Sequence, residues 1–288
     1  MKLSKILESR TPSLSFEVFP PKTDSSFENV KEATEKIASF SPSFMSVTYG
    51  AGGGTSKYTL EIAKNIQEKY GVPTLAHLTC VSSTKETVSA RILDMKAAGI
   101  NNVMALRGDI PVGMENMPRD YSHAIELVRE LRESDGDFCI GGACYPEGHP
   151  ESLSAEQDLL HLKEKVDAGL DFLTTQMFFD NGLYYKFLEK ATAIGISLPI
   201  IPGIMPITNV KQVERAITLS GSYMPKEFLS QVERFGSDPF AMTEAGILYA
   251  TKQILDLFNN GVTNVHVYTM NKPEVAKAIA DNISDVLG

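Results

Sequence analysis

A single (β/α)8 TIM barrel, with extra helical segments between its seventh and eighth strands, is the fold class the sequence predicts, and three observations carry that prediction. Short β-prone runs alternate with helix-period stretches along the chain, the pattern of a parallel sheet covered by helices. The joints also repeat: Gly71-Val72, Gly99-Ile100, Gly169-Leu170, Gly195-Ile196 and Gly261-Val262 each place a glycine and then an aliphatic residue between a helix and the next strand. Glycine suits the left-handed position that ends a helix, and the aliphatic residue packs back onto it. Finally, the 288 residues show no composition break that would mark a linker, so one domain over 1–288 is expected. Such barrels run ~250 residues, and the insertion takes up the surplus. The alternative, an open doubly wound sheet, needs a switch point and usually has fewer strands.

Unit one opens with Ser13-Leu14-Ser15-Phe16-Glu17-Val18-Phe19-Pro20-Pro21-Lys22. Leu14, Phe16 and Val18 share one strand face, Ser13, Ser15 and Glu17 share the other, and the two prolines end the ladder. A parallel strand is covered on both faces, which puts Glu17 inside protein, where an ionised carboxylate is costly; an edge strand would leave it in water. Ser25-x-x-Glu28 reads as a capping box for a helix through Val30, Ala33, Ile37 and Phe40. The second strand, Phe44 to Tyr49, leads through Gly50-Ala51-Gly52-Gly53-Gly54-Thr55 to a helix through Leu60, Ile62, Ala63 and Ile66. Thr74 to Cys80 is the third strand, and Ser83-x-x-Glu86 caps a helix through Val88, Ile92, Met95 and Ala98.

The fourth unit runs from Asn102 to Leu106, through the loop Arg107-Gly108-Asp109-Ile110-Pro111, to a helix around Ala124 to Leu131. Phe138 to Cys144 is the fifth strand, with a helix capped by Ser154-x-x-Gln157. Phe172 to Met177 and the helix ending near Gly195 form the sixth unit, and Pro199 to Ile204 starts the seventh, expanded by segments at Glu227 to Phe235 and Ala241 to Phe258. Asn264 to Thr269 and the helix from Pro273 to Val286 complete the eighth.

Composition excludes several classes of function. With 43% hydrophobic and 22% charged residues the chain is an ordinary globular one, and a net charge of -9 without a Lys/Arg cluster argues against a nucleic-acid partner. No run of about 18 apolar residues and no leader pattern is present, so no membrane association and a cytoplasmic location are expected. Cys80, Cys139 and Cys144 are odd in number and lack CxxC spacing, which reads as buried thiols. His77, His123, His149, His161 and His266 form no HExxH and no close pair in sequence, so no metal site is expected.

Barrel chemistry collects at the C-terminal ends of the strands. Glu17, Thr48, Tyr49, His77, Arg107, Asp109, Tyr145, His149 and Gln176 all fall there, from six strands, and such convergence reads as a site rather than as scattered core polarity. Gly50-x-Gly52 has Thr55 at the third glycine position of a dinucleotide turn, and Cys80 rather than an acid ends the next strand, so it reads as a rim loop. Asp158, His161 and Lys165 recur on one stripe of the fifth helix, which could hold the phosphate and sugar of a large cofactor or be a solvated face.

Phe16-Glu17-Val18-Phe19-Pro20-Pro21, Ser46-Val47-Thr48-Tyr49-Gly50-Ala51, His77-Leu78-Thr79-Cys80, Ala105-Leu106-Arg107-Gly108-Asp109, Tyr145-Pro146-Glu147-Gly148-His149-Pro150, Thr175-Gln176-Met177-Phe178-Phe179-Asp180 and Ile201-Pro202-Gly203-Ile204-Met205-Pro206 together resemble the methylenetetrahydrofolate reductase family over essentially the whole chain. The resemblance implies a catalytic barrel that holds FAD non-covalently and reduces 5,10-methylenetetrahydrofolate with NADH or NADPH as co-substrate, passing hydride in two half-reactions. It implies Glu17 as general acid and Asp109 as the carboxylate beside flavin and pterin. Tyr49, Ala51, His77, Arg107, Gly108, Tyr145, His149, Asp158 and Lys165 match flavin-contacting positions; Thr48, Gln176, Gln212 and Lys272 match positions that meet nicotinamide or folate. Ser122, His161 and Glu164 depart from the alanine, asparagine and arginine of a bacterial member along the flavin-binding loop and helix, and Ala216 replaces an aromatic that covers the substrate there.

Opening the five-membered folate ring needs a proton on N10, and burial is expected to raise the Glu17 pKa so that it carries one near neutral pH. Asp109 is expected to stay ionised and stabilise the developing cation, leaving Arg107 free for a flavin phosphate. The rivals are another flavin barrel of the proline dehydrogenase kind, a cofactor-free lyase or aldolase using Lys22 or Lys272 as a Schiff base, and a folate-binding barrel without catalysis. Small-molecule substrates are the expected partners, and a homo-oligomer the expected state.

Overall fold

The computed structural model describes residues 1–21, 23–49, 56–110, 113 and 119–287. Among the described residues there are nine parallel strand segments: β1 Ser13–Val18, β2 Met45–Val47, β3 Thr74–Thr79, β4 Asn102–Leu106, β5 Cys139–Cys144, β6 Phe172–Thr175, β7 Ile200–Ile201, β8 Gly203–Ile204 and β9 Asn264–Tyr268. Their order is β7-β6-β5-β4-β3-β2-β1-β9-β8. The ends of that list are one stretch of chain. β7 pairs with β6 and β8 with β9, and between them Pro202, which has no N–H to give a ladder, offers its carbonyl to the His266 N–H. The predicted seventh strand is therefore two half-strands that close the barrel on either side of a proline.

Helices separate the strands: α1 Leu3–Leu7, α2 Phe27–Ala38, α3 Ser56–Tyr70, α4 Lys85–Ala97, α5 Ala124–Glu133, α6 Ala155–Asp167 and α7 Asn181–Ala193. The insertion of unit seven supplies α8 Val210–Ser220, α9 Lys226–Phe235 and α10 Pro239–Asn259, and the chain finishes with α11 Pro273–Asn282 and α12 Ser284–Leu287. None of the described helices is long and apolar enough to cross a membrane. All five joint glycines sit at positive φ, from 66° at Gly71 to 118° at Gly169, as the αL reading requires.

Two predicted caps differ. Ser154 accepts from the Gln157 N–H as expected, but α4 is capped by Thr84, which accepts from Thr87, and Ser25 lies in a 3-10 turn, Asp24–Ser26, that leads into α2. At α4 the hydroxyl residue one step along takes the cap, whereas at α2 the entry falls on Ser26, whose hydroxyl donates back to the Thr23 carbonyl and caps nothing. Helix α1 is a further difference, since five residues are too few to show a period. It plugs the N-terminal end of the barrel: Leu3 and Leu7 pack with the inward Phe44, Leu75, Met104, Cys139, Phe172 and Ile201. Asn102 ties it down, accepting from the Leu3 N–H and donating to the carbonyls of Met1 and Thr74.

Alternation along β1 works as the sequence suggested. Leu14, Phe16 and Val18 join the core between sheet and helices, whereas Ser15 and Glu17 point into the barrel. Below them the interior is apolar; above, toward the strand ends, it is polar. Gly203 makes room there: a Cβ would lie 2.4 Å from the hydroxyl of Tyr268, which spans the interior to donate to the Thr175 carbonyl.

Candidate active site

The register Glu17↔Ser46 and Glu17↔Tyr268, together with the inward face of β3, brings four strands to bear on one carboxylate. Glu17 Oε2 accepts from the Ser46 hydroxyl at 3.2 Å and lies 3.5 Å from His77 Nε2 and 3.8 Å from His266 Nε2. The Ser46 hydroxyl also sits 2.9 Å from His266 Nε2, and Ser15 meets the other ring nitrogen, Nδ1, at 2.7 Å. Only 14% of the Glu17 side chain is exposed. Burial pushes its pKa up, as the sequence argument held, but His266, His77 and the Ser46 hydroxyl outweigh it and hold the carboxyl below the ordinary glutamate value. At 3.8 Å, His266 Nε2 is beyond direct hydrogen-bond reach of the carboxylate, and the Ser46 hydroxyl bridges the pair. The expectation of a raised Glu17 pKa is thus corrected: burial is real, but the partners were not visible.

At the same end of the barrel is a cavity of about 670 Å³, walled by the ends of β3 to β5 and by α6. Tyr49, Arg107, Gly108, Asp109, Tyr145 and His149 reach its wall, as do Asp158, His161 and Lys165. Gly108, at φ 83°, could carry no side chain without meeting Thr79 at 2.9 Å. His149 Nδ1 accepts from the Glu151 N–H at 3.1 Å, which leaves Nε2 as the N–H donor, and its ring meets Tyr145 edge-on at 4.6 Å. Burial pushes the Tyr145 phenol up to about 12, so it is an O–H donor.

The three-residue stripe on α6 divides. Asp158 spends its carboxylate on the loop before the helix, accepting from the His149 N–H at 3.2 Å and the Ser152 hydroxyl at 3.0 Å. His161 is exposed at the wall, and Glu164 joins it there. Lys165 turns inward and donates to the Ala143 carbonyl at 2.6 Å, and burial lowers its pKa. Arg107 is not free: its guanidinium holds Glu151 through two hydrogen bonds, of 2.5 and 2.8 Å. Ser122 is exposed before α5, its N–H donating to Glu126 at 2.6 Å, and the residues that follow it, His123 to Ile125, reach the wall instead.

The remaining expected residues sit apart from that wall. Thr48 and Gln176 are half-buried at strand ends, with Gln176 Oε1 accepting from the Met177 N–H. Gln212 Oε1 accepts from the Thr208 N–H and hydroxyl, and Lys272 donates to that hydroxyl at 2.7 Å, so these three form one cluster joining α8 to α11. Ala216 is buried against Phe179, Met224 and Phe228 in the core of the insertion. Ala51 and Lys22 lie outside the described residues, as do the other rim-loop residues from Gly50 to Thr55.

Residues the sequence reading passed over include Ser15, Ser46, His266, Tyr268, Glu151 and Thr208. A signal existed for four of them: inward positions at period 2 on β1, β2 and β9 meet once the first and last strands are made neighbours. Glu151 and Thr208 lie on loops, where no period applies.

The donor set fits FAD. Two cations, two neutral N–H or O–H donors and apolar walls at Leu106, Ile125, Leu153 and Leu162 suit a large planar group carrying phosphates. Lys165 gives the clearest sign, because a half-buried ammonium that faces a neutral carbonyl would gain from an anion beside it.

Comparison with known proteins agrees with the motifs. The methylenetetrahydrofolate reductase family model matches residues 2–284. The chain is 37% identical over 295 residues to "Methylenetetrahydrofolate reductase (NADH) 1" of Arabidopsis thaliana, covering 98% of this chain and 50% of that protein. It is 36% identical over 271 residues to 5,10-methylenetetrahydrofolate reductase of Escherichia coli (strain K12), covering 94% of this chain and 90% of that one. The chain thus spans about half the length of its plant relatives and most of the bacterial one. Among solved structures, a Clostridium thermocellum protein described as binding two copies of 5-methyl-5,6,7,8-tetrahydrofolic acid matches with TM-score 0.67 and 15% identity over 99% of both chains, a likeness of fold. On the family match and these identities, the chain belongs to the methylenetetrahydrofolate reductase family.

Proposed function

We propose that the chain reduces 5,10-methylenetetrahydrofolate to 5-methyltetrahydrofolate, with FAD held non-covalently in the 670 Å³ cavity and NADH or NADPH as the reductant. One observation carries the reading: a nearly buried acid, Glu17, lies at the same end of the barrel as a cavity whose donors suit a phosphate-bearing flavin. His77 lies next to Glu17, and Thr79, two residues on along the same strand face and about 7 Å further, reaches the cavity wall.

The flavin, when bound, supplies hydride transfer between nicotinamide and folate. Lys165, Arg107, His149 and Tyr145 would hold it. Glu17 gives its proton to folate N10, which opens the five-membered ring and leaves a cationic iminium for Asp109 to stabilise. The side chains around Glu17 favour its ionised form, so its proton would be taken up as a bound ring covers the mouth and removes the remaining exposure; desolvation favours the neutral carboxyl. Gln176, Gln212 and Lys272 would meet the substrates, as the family resemblance implies.

The test is an anaerobic visible spectrum of the purified protein with FAD, read before and after NADH or NADPH and again after methylenetetrahydrofolate. Bleaching by a nicotinamide and recovery of colour with the folate are expected. A protein that takes up no FAD, or whose bleached flavin ignores the folate, sinks the reading.

A further inference from the structure

A contact between two loops joins the flavin side of the mouth to the insertion of unit seven. Between Tyr145 and His149, both on the cavity wall, the chain makes a turn closed by the Gly148 N–H on the Tyr145 carbonyl, and that turn carries Glu147. Glu147 Oε2 accepts from the backbone N–H of Tyr223, between α8 and α9, at 2.8 Å. The neighbours of Tyr223 fix its loop to the insertion and to the sheet: Met224 is buried with Ala216 in the insertion core, and the Ser222 hydroxyl donates to the Met177 carbonyl, just past β6, at 3.4 Å.

Helix α8 therefore lies across the strand ends as a strap. Its first turn carries Gln212, bonded to Thr208 beside Lys272, and its far end is tied to the loop after β5. Eleven residues of helix span about 16 Å.

The acid at this tie is the unexpected choice. Glu147 is half-buried; it faces the Tyr223 N–H from the insertion and Asp180 from the loop before α7, and no cation is among the groups that act on it. Tyr249, beside Asp180, is a neutral phenol, pushed up to about 12 by burial. An amide would accept the same N–H without placing a buried charge near a like charge. The carboxylate holds the strap less firmly than an amide of the same shape.

We infer that Glu147 is a positioning residue that latches the α8 strap to the flavin-side loop, its negative charge keeping the latch weak enough to part. Parting would let a folate leave Gln176 and Gln212. The latch rests on the geometry; its bearing on folate release rests on the proposed reaction. Burial, helped by Asp180, outweighs the Tyr223 N–H and raises the Glu147 pKa above the ordinary glutamate value. A carboxyl that swings out into water returns to that ordinary value, so protonation favours the latched state. The latch tightens as pH falls from neutral and loosens as pH rises.

The experiment follows amide hydrogen exchange at Tyr223 in the wild type, Glu147→Gln and Glu147→Ala, with and without FAD, as protection factors from about pH 7.5 down to about pH 5.5. Glu147→Ala should lose about two- to tenfold in protection, the worth of one hydrogen bond. Glu147→Gln should be better protected than the wild type at neutral pH and flat with pH, while the wild type rises toward it on acidification. Release of 5-methyltetrahydrofolate from the FAD-loaded protein, read by stopped flow, should be slower in Glu147→Gln and faster in Glu147→Ala. If Glu147→Ala does not fold, the pH curves of the wild type and Glu147→Gln carry the test. Unchanged protection in Glu147→Ala overturns the proposal, and so does a Glu147→Gln protein that is less protected than the wild type at neutral pH or keeps its pH dependence. Folate release unchanged in both variants overturns it as well. A protein that binds no folate counts against the reaction alone, and the exchange curves still decide the latch.

Discussion

Glu17 and Lys165 are charged groups at the mouth of the same barrel, and the structure lowers the pKa of both for opposite reasons. For Glu17 burial works upward and is overcome by His266, His77 and Ser46, so the charged form is the one its surroundings favour. For Lys165 burial works downward and only Asp158 pulls back, because burial keeps the neighbouring Cys144 thiol neutral, so its surroundings leave the charged form short of support. The first cluster supports its charge from within, His77 Nε2 alone being left without a hydrogen bond; the second would gain from an anion, which the proposed FAD supplies. On the proposed function, the difference separates the half of the mouth that would carry proton chemistry from the half that would carry binding, and it can be broken by experiment.

The largest effect expected is at Glu17→Gln, which keeps shape and hydrogen bonding but removes the proton. Turnover with methylenetetrahydrofolate should fall about 10²–10⁴-fold, the usual cost of a lost general acid. Bleaching of bound flavin by NADH or NADPH should be unchanged, and so should FAD affinity. Equal losses in both assays would show that Glu17 organises the cavity as well, and the division into two regions would fail.

Lys165→Ala tests the other half. Removing a charge-assisted contact should weaken FAD binding by about 1.5–3 kcal/mol, roughly tenfold to 150-fold, with turnover largely restored at saturating FAD and the melting temperature little changed. The pH dependence has a definite sign. The free ammonium has a lowered pKa, so it loses its proton earlier than an ordinary lysine as pH rises, and wild-type FAD affinity should fall toward alkaline pH while that of Lys165→Ala stays flat. Parallel curves would return Lys165 to the solvated-face reading.

How much of this was legible in the sequence depends on what set each feature. The barrel was legible because periodicity and joint glycines are local, and Gly71, Gly99, Gly169, Gly195 and Gly261 take the positive φ that a left-handed helix end demands. The inward aim of Glu17 was legible from alternation along one strand. Its protonation was not, because His77, His266 and Ser46 come from three other strands, and whether their combined effect exceeds burial depends on distances of 3.2 to 3.8 Å that no spacing encodes. The break of the seventh strand at Pro202 was visible as a proline yet not as a closure, since both edges of the sheet must be known to see it. Asp158 shows the reverse failure: its place on the stripe is right, but its carboxylate belongs to the loop before α6.

The smallest effect expected is at the pair the sequence missed, Arg107 and Glu151. The carboxylate is 59% exposed and the guanidinium 21%, so the pair stands near water, and such pairs contribute about 0.2–1 kcal/mol to stability. Glu151→Gln should therefore lower the stability of the FAD-free protein by no more than that amount. Its effect on the cofactor should have the other sign. An ionised Glu151 repels a phosphate and occupies both terminal nitrogens of Arg107; a neutral amide does neither, so FAD should bind about two- to fivefold more tightly, the factor that 0.2–1 kcal/mol allows at its upper end. Because the gain is electrostatic and partly exposed, it should shrink as salt is raised from low ionic strength to 0.15 M, where the screening length is about 8 Å. Weaker binding in Glu151→Gln would mean that the carboxylate holds the guanidinium in its working position. Arg107 and Glu151 would then form a preassembled unit like the one around Glu17, and the contrast between the two regions would stop at Lys165.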